Sequence, residues 1–494
     1  MRYVFFLFLL SCLPAGAQQK PMNIIYILAD DHRYDAMGFM QKIKGLQTPG
    51  LDRMAKEGVH VKNAFVSTAL CSPSRASVLT GQYAHTHTVV DNDAPLPSNL
   101  KFFPQYLQQK GYQTAFLGKW HMGNTDDAPQ PGFDYWLSFQ GQGVYNNPTF
   151  NINGRRVKQP EGTYTTDLLT DYTVEWLNKR NKQKPFFVYL SHKGVHAEFQ
   201  PAKRHAGMYK DLPVVCPPSM YLTVTDQSKT YGIVSAPQTK VNYIDIPQWV
   251  RNQRYSWHGV DYMYHGEIPF DRFYHLYLET LMAVDESVQR VMNWVKENGL
   301  EKNTMIVYMG DNGFSFGEHG LIDKRHAYEE SMRVPMLVWA PDMVQPNSVI
   351  EQVVMNVDVA PTFLELAGIA KPIQMQGYSF NSLLKGNSTG WQRDKVFYEY
   401  YWEAAFPQTP TTFSIRTNRY KYIYYNGIWD INELFDLQND PFEMNNLIRD
   451  TAYRKIGLQL KDELFNWLGA TNGLQIPLKK TLNNRSDNLY KGTY

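Results

Sequence analysis

The sequence predicts an α/β fold, a mostly parallel central sheet sandwiched by helices, followed by a smaller C-terminal α+β subdomain with an antiparallel sheet. Three observations carry this. Apolar, β-rich runs alternate with helical patterns up to about Ala370, the order expected of a parallel sheet with helices on both faces. Four of those runs end in charged or metal-capable side chains, and ligands in such sheets bind outside the carboxyl ends of the strands. Beyond Ala370 the pattern changes to alternating strands and one closing amphipathic helix. A content of 43% hydrophobic and 19% charged residues in 494 suits a large core and excludes a disordered chain.

The first stretch, "MRYVFFLFLLSCLPAGAQQK", reads as a secretory signal peptide over residues 1–17. Arg2 is the charged start, Tyr3 to Leu10 the apolar segment, and Ala15-Gly16-Ala17 a small-residue cleavage site before Gln18. The competing reading is a lipoprotein signal in which Leu9-Leu10-Ser11-Cys12 presents Cys12 for lipidation. The apolar run is too short to span a bilayer, and no later segment has the ~20 apolar residues a transmembrane helix needs. The expectation is an exported protein, periplasmic or secreted, with a catalytic unit over residues 18–370 and a C-terminal subdomain over 371–494. A formal net charge of +2 gives no argument for a nucleic-acid partner. Of the three cysteines, Cys12, Cys71 and Cys216, cleavage removes the first. Two remaining cysteines do not make a disulfide scaffold. A Cys71–Cys216 bridge is conceivable, but it would idle the sequence around Cys71.

The strands follow in order. "NIIYILADD" gives a strand from Asn23 that ends in Asp30 and Asp31. "TAFLGKWHMG" gives one through Leu117 that ends at Lys119 and His121. "PFFVYLSHKGVH" gives one from Phe186 to Leu190 that ends near His192 and His196. "TMIVYMGDNG" gives one from Met305 to Met309 that ends at Asp311 and Asn312, and "VPMLVWAP" a further strand without a polar cluster. Four such coincidences predict that the tips converge on one site. Between them, "TTDLLTDYTVEWLNKR" and "FYHLYLETLMAVDESVQRVMNWVKENG" repeat apolar residues at helical spacing, the second stopped at Gly299. The Pro201–Pro269 stretch, rich in Tyr, Trp, His and Pro, reads as a surface excursion near the site. Past Ala370, "FSIRTNRYKYIYY" alternates like a strand, "ELFDLQNDPFEMNNL" reads as a strand-turn-helix junction, and "AYRKIGLQLKDELFNWLG" as the closing helix.

The stretch "ALCSPSRASVLTGQYAHT" carries the sharpest signal. A thiol near Arg75 could act as a thiolate nucleophile, but an exposed thiol in an oxidising compartment is at risk. The joint pattern of Cys71, Pro73, Ser74, Arg75, Leu79, Thr80 and Gly81 resembles the signature of type I, formylglycine-dependent sulfatases of the alkaline-phosphatase-like superfamily. The resemblance runs from about Met22 to the C-terminal helix. "HKGVHAEF", "SWHGVDYMYHG" and "IDKRHAYEE" are similar to the branch of N-acetylglucosamine-6-sulfatases and bacterial glycan sulfatases.

The resemblance implies that a maturation enzyme oxidises Cys71 to formylglycine, whose hydrate is the nucleophile. It implies that Asp30, Asp31, Asp311 and Asn312, with position 71, hold a divalent metal. Their hard oxygen donors suit Ca²⁺, with Mg²⁺ as second choice. Arg75 would hold the hydrated aldehyde or offset the carboxylates. Lys119 would bind a sulfate oxygen, and His121 would take a proton from the second hydroxyl as sulfate leaves. His196, with Lys324, would protonate or stabilise the leaving alkoxide. This many cations suit an already anionic ester with a poor leaving group.

Other polar residues read less sharply. His192 is expected to be structural. His85 and His87 form an H-x-H pair that could bind zinc, though one is expected to pack under the site and the other to meet substrate. Asp91, Asn92 and His258 are candidates for the sugar subsite, with Asp261 and His265 beside the last. His319 is expected to support the Asp311 loop. Arg416, Arg419 and Lys421 could bind an anionic polymer, but a solvated strand face is the expectation. The predicted function is hydrolysis of sulfate esters on carbohydrates. The alternatives are a phosphonate monoester hydrolase or phosphodiesterase of the same superfamily, or a non-catalytic glycan-binding relative.

Overall fold

The computed structural model describes residues 21–123, 126–221, 245–254, 256, 258–260 and 269–477. The leader with Cys12, and Asp261 and His265, lie outside the described residues. In chain order the strands are β1 (Asn23–Ala29), β2 (Val59–Phe65), β3 (Gln113–Lys119), β4 (Tyr135–Phe139), β5 (Thr149–Ile152), β6 (Arg155–Lys158), β7 (Phe186–Ser191), β8 (Thr304–Gly310), β9 (Ser315–Phe316), β10 (Ile322–Asp323), β11 (Met336–Trp339), β12 (Ser348–Met355), β13 (Val396–Tyr400), β14 (Thr411–Arg416), β15 (Tyr420–Asn426) and β16 (Glu433–Asp436).

Ten of them form one sheet in the order β12-β2-β11-β8-β1-β7-β3-β4-β5-β6. The centre is parallel: β1 lies between β8 and β7, and β3 between β7 and β4. The "VPMLVWAP" strand β11 runs antiparallel to both β8 and β2. Side chains alternate along β1, so each face has its own core. Ile24, Tyr26 and Leu28 pack with Leu79, Phe103 and Phe363 on one face. Ile25, Ile27 and Ala29 pack with Leu51, Leu169 and Leu281 on the other. The two helices read from periodicity span Thr165–Lys179 and Phe270–Glu297, and both belong to the second face.

The C-terminal sheet is antiparallel, β13-β14-β15-β16. Phe413, Ile415, Tyr422 and Leu434 pack on Leu460, Leu464 and Leu468 of the Arg454–Ala470 helix. Two expectations need correction. Helix does not follow the β16 turn directly and begins only at Arg454. The Asn446 side chain holds the intervening loop, accepting from Leu434 N and Ile448 N and donating to Asn432 O, which competes with helix formation. The described parts of the 201–269 excursion lie only partly at the surface: Met208 and Val215 are exposed. Tyr209, Met220, Trp249 and Val250 are buried; Trp249 packs edge-on against Tyr425 of the C-terminal sheet, and the Asp430 carboxylate accepts from Gln248 N and Trp249 N at the start of their helix.

Candidate active site

The four polar strand tips meet. Hydrogen bonds beyond the strands lock them together: Asp30 N donates to Gly194 O, Val195 N to Asp30 O, and Asp311 N to Ala29 O. Asp31 and His121, both at φ 53°, turn the chain off β1 and β3 in the left-handed region that side chains other than glycine seldom adopt. At Gly118 a Cβ would fall 1.8 Å from Ser191 O, so only glycine lets β3 approach β7 this closely. That approach brings Lys119 O within reach of Ser191 Oγ (2.7 Å) and Arg75 Nη1 (2.7 Å).

Position 71 opens the Cys71–Thr80 helix, every residue of which is buried. Leu70 before it is extended and Gly81 after it is left-handed, the usual stop. The thiol therefore sits at the positive end of a helix, and Cys71 Sγ lies 3.4 Å from Asp30 Oδ1. Burial, reinforced by Asp30, pushes the thiol's pKa up, so thiolate chemistry is disfavoured here.

Each carboxylate has a cation. Arg75 places Nη2 2.7 Å and Nε 3.0 Å from Asp311 Oδ2, and Nη1 2.6 Å from Ser191 Oγ. Of the two roles expected of Arg75, the geometry matches the second, charge balance for a carboxylate. Lys119 Nζ donates to Asp30 Oδ2 and, at 2.5 Å, to Gln142 Oε1. Lys324 Nζ sits 2.6 Å from both oxygens of Asp31. Burial works to raise Asp30, yet Lys119 and Arg75 hold it well below the usual carboxylate range. Asp31 is pushed to about 7 by burial, against Lys324. His196 Nε2 lies 3.9 Å from Asp31 Oδ2. Burial and then lysine charges lower His196 and His121 well below ordinary histidine, so both imidazoles are neutral in this state.

Donor atoms of Asp30, Cys71 and Asp311 lie within 4.8 Å of one another. Asn312 Oδ1 is buried without a hydrogen-bond partner, while Asn312 Nδ2 donates to Asp31 Oδ1 at 2.7 Å. A buried, partnerless carbonyl oxygen beside clustered carboxylates fits a hard divalent cation. Asp31 stands beside the trio, its oxygens engaged by Lys324 and Asn312.

The outer candidates divide. Asn92 Oδ1 accepts from Ser72 N at 3.1 Å, which puts it at the start of the Cys71 helix; Asp91 is buried next to it. His258 Nδ1 is 2.8 Å from Asp323 Oδ2, next to Lys324. His192 Nε2 pairs with Ser287 Oγ and is neutral, its pKa lowered to about 3 by burial, in keeping with a structural role. His85 and His87 do not form a zinc pair: His85 Nδ1 bonds Glu399 (2.8 Å) and His87 Nε2 bonds Ser77 Oγ (3.0 Å). His85 is buried between Glu399 and Trp467, and His87 packs against Ser77 of the Cys71–Thr80 helix. Arg416 and Lys421 are not on a solvated face. Both are buried against Glu329, and only Arg419 of the three is largely exposed. Cys71 and Cys216 are not joined in a disulfide.

Sequence reasoning missed several residues at the mouth. Lys193, 4% exposed, lies over the Tyr145 ring at 4.6 Å, and burial lowers it to about 8. Gln142 holds Lys119, and Arg325 joins Asp323 to Glu403 (2.8 Å to the latter). Lys193 sat between the two histidines of "HKGVH" and had a usable signal; Gln142 had none.

Known proteins place this geometry. The sulfatase family profile matches residues 22–369, and that of the N-sulphoglucosamine sulphohydrolase C-terminal region matches residues 317–468. An N-acetylglucosamine-6-O-sulfatase of Bacteroides thetaiotaomicron is 33% identical, over 90% of this chain and 86% of its own. A solved structure in complex with its substrate D-glucosamine-2-N,6-O-disulfate superposes with a TM-score of 0.79 at 30% identity, covering 93% of this chain and all (100%) of the other. The phosphonate monoester hydrolase of Agrobacterium radiobacter shares the fold alone, with a TM-score of 0.70 at 19% identity over 91% and 96% of the two chains.

Proposed function

The chain belongs to the sulfatase family and is a sulfuric ester hydrolase; from that premise we propose that it is an exported enzyme that removes 6-O-sulfate from glucosamine-type units of sulfated glycans. The observation that carries the reading is the convergence of Asp30, Cys71, Arg75, Lys119, His121, His196, Asp311 and Lys324 at one end of the sheet. The position and sugar follow from the relatives named above. Residues Asp30, Asp31, Asp311 and Asn312, with position 71, would hold Ca²⁺. A bound ion and an aldehyde made from Cys71 would supply, respectively, positive charge beside the sulfate and a hydrated carbonyl as the attacking group.

The rest is done by the chain's own side chains. Arg75 fixes Asp311 through a two-nitrogen fork, a geometry lysine cannot copy. Lys119 and Lys324 are aimed into a buried site, where an anionic sulfate gains far more from them than in water. The same lysines keep His196 neutral; an incoming anion offsets them and raises the affinity of Nε2 for a proton. His196 then holds a proton at Nε2 for the leaving oxygen, and His121 receives one at the opposite side. Lys193 adds a cation near Asp30 and Asp31, while Asn92, Asp91 and His258 are the candidates to meet the sugar, with Arg325 joined to His258 through Asp323.

The test is sulfate release from a panel of glucosamine sulfated at the 2-N, 3, 4 or 6 position, beside aryl sulfate and an aryl phosphonate monoester, with one matured preparation. Preferred turnover of the 6-O-sulfate supports the reading. Turnover of the phosphonate ester alone would support the other superfamily activity instead.

A further inference from the structure

A second buried cluster lies away from position 71, where the loop that follows the Asp311 strand meets the C-terminal sheet. His319, on the turn Glu318–Gly320, Glu330, on the short helix Glu329–Met332, and Glu443, in the loop after β16, bring ligand atoms within 4.8 Å of one another. All three are buried, at 2%, 7% and 1% exposure. Glu330 Oε2 has no hydrogen-bond partner among the described residues, an arrangement that costs free energy unless something binds it.

The charge around the cluster does not balance. Arg416, Lys421 and, at 4.0 Å, Arg333 gather on Glu329, and Lys421 also reaches Glu443 at 2.7 Å. Glu433 takes the hydroxyls of Tyr328 and Tyr425. Arg33, whose field reaches Glu330, is already engaged by Asp35 and Glu318. Among the described residues, six carboxyl groups thus face four cations in one buried block, a surplus of two negative charges when all are ionised. Burial and the like charges of Glu318 and Glu443 push Glu330 well above the ordinary range, and burial moves Glu443 to about 7. His319 is stacked on Tyr328 at 3.8 Å, and burial lowers its pKa well below the ordinary histidine value, the neutral form in which imidazole ligates metals.

We propose that His319, Glu330 and Glu443 form a second divalent-cation site that clasps the catalytic core to the C-terminal sheet. One nitrogen and two carboxylate oxygens suit a borderline ion of the Zn²⁺ or Mn²⁺ kind, unlike the all-oxygen preference of Ca²⁺. One such ion neutralises the surplus. The site is structural, and it does not depend on the substrate assigned above.

The experiment uses the full mature chain, stripped with chelator and re-equilibrated with ZnCl₂ or MnCl₂, in an Asp311→Asn background that disables the cluster at position 71. Bound metal is counted by mass spectrometry and melting is followed with and without metal. The expected result is one retained ion per chain and a metal-dependent rise in melting temperature, both lost when Glu330→Gln is added. Equal metal content with and without Glu330→Gln, or no retained metal in the parent, overturns the proposal and leaves a protonated Glu330. Should the double variant fail to fold, anomalous scattering at the zinc edge from unsubstituted crystals decides it: a peak between the three side chains supports the site, and its absence overturns it.

Discussion

The two buried charge clusters are built differently. At position 71 each carboxylate has its own cation: Asp311 has Arg75, Asp30 has Lys119 and Asp31 has Lys324. At the junction with the C-terminal sheet three cations crowd on Glu329, while Glu330 forms no ion pair among the described residues. The first arrangement is set up to receive an anion, because Lys119 and Lys324 bring two buried cations to the carboxyl ends of the parallel strands. The second ties two sheets together and offers substrate nothing. Buried charge alone therefore does not mark a catalytic site; its position at the carboxyl ends of parallel strands does.

That contrast can be broken most strongly at Cys71. Cys71→Ala should abolish turnover, a loss of ~10⁴-fold or more as for other deleted nucleophiles, with the melting temperature nearly unchanged. Retained activity in that variant would remove the distinction between the clusters. His196→Ala should cost ~10²–10⁴-fold on sugar sulfates, the usual range for a general acid. The loss should be much smaller on activated aryl sulfates, whose leaving groups need no proton. Equal losses on both would take His196 out of the acid role.

The junction should respond in the opposite way. Arg416→Met removes one partner of a buried pair and should destabilise the chain by ~3–5 kcal/mol, read as a lower melting temperature. Turnover per folded molecule should stay the same, since Arg416 lies outside the site. A catalytic loss without a stability loss would blur the two regions.

The smallest effect concerns pH. Burial lowers His87 and His192 to about 3, so protonation favours the unfolded chain. Their contribution is fully present above the unfolded value near 6.5 and is lost as pH falls from there, at about 1.4 kcal/mol per unit for each histidine. These two histidines should thus pull the melting temperature down as pH falls below 6.5. His192→Gln should flatten the slope, and an unchanged slope would contradict the assignment.

Much of this was legible in the sequence, and the reason is local. The tips at Asp30, Lys119, His196 and Asp311 are read from strands whose apolar runs stop at polar residues, and the parallel setting of β1, β3, β7 and β8 follows from alternation with helices. What stayed hidden comes from contacts between distant segments. Gln142 reaches Lys119 from the stretch after β4, and Glu399 captures His85 across 314 residues. Arg416 and Lys421 looked like a solvated strand face because β14 and β15 alternate; only the docking of that sheet on Glu329 buries them. The antiparallel setting of β11 was equally invisible, since a fully apolar strand reads alike in either direction.

The central claim is that these tips assemble around a modified side chain at position 71. The direct measurement is the mass of the peptide containing Cys71, taken from enzyme shown to release sulfate. The account predicts a peptide lighter by the difference between a thiol and an aldehyde side chain. An unaltered thiol in fully active enzyme would contradict it.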